Sequence, residues 1–144
     1  MTRFQFRLDS VLAWRRAQLE AEEFKLRQLL DGLVRIERAA GELEAVRLSE
    51  ERRVTGAGTV TGAELWSLAA WREAARVQAG ALAREREVRL REIAGQRERI
   101  AVARQRCRLL ERLREKRLAE WSREIERQLD AFASEAYLAR WNAS

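Results

Sequence analysis

No proline occurs anywhere in this chain, and from residue 63 to 141 nothing stronger than an isolated glycine interrupts it. Proline removes a backbone donor and clashes with the preceding helical turn, so a chain without it can build very long helices. Leu, Ala, Arg and Glu dominate; charged residues make up 36% and apolar residues 47%. That is the profile of long helices or coiled coil rather than of an ordinary globular domain. Such a chain buries a seam, not a three-dimensional core.

The seam is readable. Leu12, Leu19, Leu26, Leu33 and Ala40 recur every seven residues, and Leu29, Ile36 and Leu43 lie three further on, with Arg15 and Glu22 in the same slot earlier. This a/d pattern favours a left-handed supercoil. It stops at Thr55-Gly56-Ala57-Gly58-Thr59-Val60-Thr61-Gly62, a run of poor helix formers and good turn residues. Thr61 followed by Glu64 has the spacing of a capping box. The expectation is therefore one all-α domain: helix one over about 5–53, a turn over about 55–61 and helix two over about 62–141. The second seam reads Leu65, Leu68, Ala75, Ala79 and Leu82, loosens around Arg86 and Arg89, then resumes through Leu90, Ile93, Ile100, Cys107 and Leu110. The break in strict heptads suggests either a stutter or a local loosening. Leu113, Leu118, Trp121, Ile125, Leu129, Phe132 and Ala136 continue an apolar stripe.

Helices of these lengths span roughly 68 Å and roughly 120 Å. A short link makes them antiparallel, a helical hairpin with the second helix longer than the first. Pairing symmetrically about the turn covers helix one with residues 62 to about 107. A C-terminal stretch of roughly 35 residues is left without a partner from helix one, and its apolar stripe calls for one: either Phe4 and Phe6 pack beneath it or another protein does.

Charge is unevenly placed. Residues 97–117 hold nine basic and three acidic side chains, a surplus equal to the +6 of the whole chain. Residues 1–16 add Arg3, Arg7, Arg15 and Arg16 against Asp9, and antiparallel pairing brings the two basic segments to one end. There is no histidine and only one cysteine, Cys107, so no intrachain disulfide and no zinc set can form. Cys107 falls on the seam and reads as a small buried apolar residue. No phosphate loop, triad or acid/base pair is present; no catalytic, metal or cofactor residue is expected, and the chain does not read as an enzyme. No run of roughly 18 apolar residues occurs, so no transmembrane segment is expected. With no apolar signal region, the cytoplasm is the expected location.

The opening Phe4-x-Phe6-x-Leu8-x-x-Val11-Leu12-x-x-Arg15, followed by Ala21-Glu22, resembles the N-terminus of the flagellar export protein FliJ family. The run Leu109-Leu110-Glu111-Arg112-Leu113-Arg114-Glu115-Lys116-Arg117 is similar to the charged signature in the second half of that family. The resemblance implies a coiled-coil stalk of the flagellar type III protein export apparatus, like the stalk of rotary ATPases. It implies as partners the hexameric flagellar export ATPase, the cytoplasmic domain of the FlhA export gate, and export chaperones. It also implies a peripheral position at the cytoplasmic face of the inner membrane, at the flagellar basal body. The equivalent stalk of virulence type III secretion systems is an alternative, as are a self-associating coiled coil and a nucleic-acid-binding one. The basic run lacks interleaved aromatics for base stacking, which weighs against nucleic acid; a stalk on its own should be a monomer.

For the ATPase end the candidate residues are Trp14, Arg15, Arg16, Arg112, Arg114, Lys116, Arg117 and Trp121. For a gate-binding tip they are Val46, Trp66 and Trp71, near the turn, where exposed tryptophans serve as anchors. Each group has a plainer reading, as a solvated basic face or as packing against the returning helix.

Overall fold

The computed structural model describes residues 3–56 and 58–143. It contains two helices, α1 (Asp9–Thr55) and the longer α2 (Gly62–Ala143), packed on each other as an antiparallel helical hairpin. Among the described residues no helix is long and apolar enough to cross a membrane. The chain divides into two compact units, residues 22–100 and residues 1–21 with 101–144.

The unit of residues 22–100 contains the turn. Thr55 Oγ1 donates to the Glu51 carbonyl at 2.7 Å and Gly56 N to the Arg52 carbonyl at 2.9 Å, closing α1. Arg52 and Arg53 in the last turn suit its negative dipole end. Gly58 takes φ +75°, which L side chains rarely adopt. Thr61 is the cap of α2: its Oγ1 accepts from Glu64 N at 3.2 Å and its carbonyl from Leu65 N at 3.1 Å.

Leu68, Ala75, Ile93, Gln96 and Ile100 of α2 are buried in this unit, against half-buried Leu26, Leu29, Leu33, Ile36 and Leu43 of α1. Leu65, expected on the seam, is 54% exposed. Where the small Ala40, Ala75 and Ala79 meet, an open groove of about 260 Å³ remains.

The stutter, one of the two readings of the break around Arg86 and Arg89, is absent. The helix is continuous there, and the two arginines occupy the seam slots seven before Ile93 and Gln96. Arg86 reaches Glu37 at 3.3 Å. Half-buried Arg89 lies across Gly32, where an added Cβ would stand 3.3 Å from its Nε. A missing side chain on α1 makes room for a long one on α2. The arginine stems cover apolar surface while their heads stay wet, so polar residues continue a register that apolar ones had set.

The other unit joins the chain's two ends. Here α1 starts at Asp9, later than the expected position near 5, and residues 3–8 are not helical. The departure goes with the burial of Phe6, 8% exposed; Leu12, 1%, and Cys107, 3%, are buried in the same unit. Asp9 N donates to the Phe6 carbonyl at 3.1 Å, and the Asp9 carboxylate sits favourably in the first turn of α1.

Candidate functional site: a basic unit built from both chain ends

All eight residues assigned to the ATPase end fall in the unit formed by residues 1–21 and 101–144. They are not equally available. Arg114 is committed within the chain, donating to Asp9 at 3.2 Å and lying 5.5 Å from the Phe4 ring centroid. Trp121 is half-buried, its ring 5.8 Å from that of Phe4 and tilted by 54°. Edge-tilted aromatic pairs of this kind prefer such spacing. Arg16 bonds Glu111 at 3.3 Å across the two helices, and Arg117 bonds Glu120 at 3.3 Å along α2. Arg15 donates to Gln18 at 3.2 Å and lies over the Trp14 ring, 4.7 Å from its centroid.

The remainder face solvent. Trp14 is 54% exposed, and Arg112 and Lys116 are exposed with no carboxylate partner among the described residues. Trp14 with Arg16, Arg112, Lys116 and Arg117 therefore form the exposed part of the set, and Arg15 is half-buried. Arg114 and Trp121 tie the N-terminal segment down.

The Phe4–Trp121 and Asp9–Arg114 contacts correct one expectation. The N-terminal residues cover α2 to Trp121, not to about residue 107. Extended chain advances about 3.3 Å per residue, against 1.5 Å in a helix, so residues 4–8 reach further than a helical start would. Beyond Trp121, among the described residues, only Ser122 and Ile125 are even half-buried. The uncovered stretch is thus shorter than foreseen, but it exposes Leu129, Phe132, Tyr137, Leu138 and Trp141.

In the unit containing the turn, the three tip residues separate. Trp71 is half-buried and, with Val54, Ala63 and Leu68, lines an open groove of about 650 Å³. Trp66 is 76% exposed and outside that groove, and Val46 is 50% exposed and also outside it. They do not make one patch.

A feature that sequence reasoning missed is Gln96, 4% exposed on the seam. Its Nε2 donates to the Glu22 carbonyl at 2.9 Å and to the Glu22 carboxylate. That bond, helped by Lys25 at 3.4 Å and by Arg99, holds the Glu22 carboxyl below the usual 4.5 against the opposing effect of desolvation. A glutamate in a seam slot, already visible at position 22, was the signal that something polar had to face it. Glu44, Glu73 and Glu124 are likewise held low, by hydrogen bonds from Arg47, Arg76 and Arg127. These are ion pairs one helical turn apart on solvated faces.

Among the described residues no group of three metal-ligating side chains comes together. No family model, curated protein or solved structure matches this chain.

Proposed function

We propose that this chain is a coiled-coil stalk of the flagellar type III export apparatus, of the FliJ kind. It inserts its terminal end into the ring of the export ATPase and links that ring to the export gate at the cytoplasmic face of the inner membrane. The observation that carries the reading is the gathering of all eight candidate residues in the unit made by both chain ends. A two-helix cross-section of roughly 20 Å, from helices each about 10–12 Å wide, suits entry into a ring. Exposed cations steer such an end toward an acidic lumen, at rates that fall with salt. The uncovered apolar residues after Trp121 give the ring something to grip. Coupling of this sort needs stiffness and asymmetric contact, not a catalytic group.

The test is co-purification with the export ATPase of a triple variant, R112E, K116E and R117E. None of these side chains bridges the two helices, so the hairpin is retained. The reading expects loss of ATPase binding with unchanged helicity; retained binding overturns it. Reversal of Arg114 is a poor substitute, because it also releases Asp9.

A further inference from the structure

The molecule carries two unsatisfied surfaces, and they are complementary. The first is the stripe of Leu118, Ile125, Leu129, Phe132 and Ala136 on α2, which shares one side of a helix turning about 100° per residue. By the same geometry Glu126 flanks the stripe on one side and Glu135 on the other, while Asp130 lies further round, beside Arg123, and Arg127 stands on the opposite face. Arg140 borders the stripe one turn past Ala136. The two flanking carboxylates have no cationic partner among the described residues.

The second surface lies in the unit of residues 22–100. Two open grooves there, of about 700 Å³ and about 380 Å³, share Arg89 and Glu92 and so run into each other. Their floor includes Leu29, Ile36 and Val88. Their walls hold five cations, Lys25, Arg84, Arg89, Arg91 and Arg99, against the two carboxylates Glu85 and Glu92. Arg91 has no carboxylate partner among the described residues, and Arg99 has only its charge attraction to Glu22. Gly95 lines the deeper groove, and a Cβ there would meet nothing within 4 Å, which leaves space for an incoming helix. From Ala81 to Arg99 this trough spans about 27 Å, the same as Leu118 to Ala136 at 1.5 Å per residue.

We propose that the trough receives the acidic-flanked stripe of a second copy of this chain. The contact is heterologous: one copy gives its C-terminal helix, the other its groove. Association of this type does not close at two subunits unless the geometry forms a ring. It replaces the expected monomer with a reversible head-to-tail assembly, weakened by salt because the paired charges lie near the surface. The proposal is independent of the export reading. Were both correct, the ATPase ring and the second copy would compete for one stripe.

Two exposed-site variants separate this contact from the alternatives. R91E/R99E spoils the groove and keeps the stripe; L129S/F132S spoils the stripe and keeps the groove. Light scattering of the full chain across a concentration series should show a mass rising past that of a dimer. Each variant alone should stay monomeric with wild-type helicity, and an equal mixture of the two should form a dimer and go no further. A wild-type chain that is monomeric throughout overturns the proposal. So does an R91E/R99E variant that associates as well as wild type, which would mean stripe-on-stripe pairing, and so does a mixture that stays monomeric.

Discussion

Two stretches of α2, residues 101–121 and 123–143, belong to one helix and one compact unit, yet only the first is covered. In the first, the hairpin register places Ala103, Cys107, Leu110 and Arg114 on the inner side. Continued past Trp121, that register arrives at Glu124, Gln128, Ala131 and Glu135, while the large apolar residues have moved to another face. Similar composition therefore conceals a change of face. It is the phase of the heptad, not the supply of leucine and alanine, that distinguishes the part of the helix packed in its own hairpin from the part that leaves its apolar residues exposed.

The largest effect should come from replacing Leu12, the most deeply buried side chain among the described residues, which belongs to α1 in the same compact unit as the covered stretch. L12A is expected to cost about 3 kcal/mol, read as a lower midpoint in urea. F132A on the uncovered stretch, 70% exposed, should stay within about 0.5 kcal/mol; equal losses would erase the distinction. Next, R86L/R89L should raise stability by about 2 kcal/mol in total, because apolar side chains then fill seam slots now held by arginine. A fall would mean that the register does slip there. Ending the chain after Ser122 should lower the urea midpoint hardly at all, by about 0.5 kcal/mol or less. Helical ellipticity should drop with the residues removed; a collapse of the midpoint would show that the last stretch supports the hairpin.

The smallest effect concerns Glu22. Its carboxyl is held low in the folded chain, so its contribution is present above the unfolded value and is lost as pH falls through the folded one. The Q96L variant removes the hydrogen bond that is the main cause. The stability difference between wild type and Q96L should therefore move in favour of Q96L as pH is lowered from 7 to 3. A difference independent of pH would mean that Gln96 does not hold the Glu22 charge.

Much of this architecture was legible in the residues themselves. The turn chemistry at 55–62, the cap at Thr61, the α1 seam from Leu12 to Leu43 and the burial of Cys107 follow from local preferences and a seven-residue period. The gathering of Arg15, Arg16, Arg112, Arg114, Lys116 and Arg117 followed from antiparallel pairing alone. What escaped depends on long side chains and tertiary contact. Arg86 and Arg89 looked like a break because periodicity counts apolar residues and cannot see an arginine stem laid over Gly32. The late start at Asp9 escaped because residues 5–8 have adequate helix propensity, and only burial of Phe6 and the Phe4–Trp121 contact draw them out of the helix. The division of the eight candidates into exposed and internally bonded members required the partners themselves, Asp9, Glu111 and Glu120.

Amide hydrogen exchange along α2 tests the central claim most directly, performed at concentrations dilute enough to keep the chain monomeric. Protection reports which backbone hydrogen bonds are held by packing, and a single helical tail of this length is marginal in water. The account predicts strong protection through residues 101–121 and a steep fall within a turn or two beyond Trp121. Protection continuing undiminished to residue 143, or ending near residue 107, would contradict it.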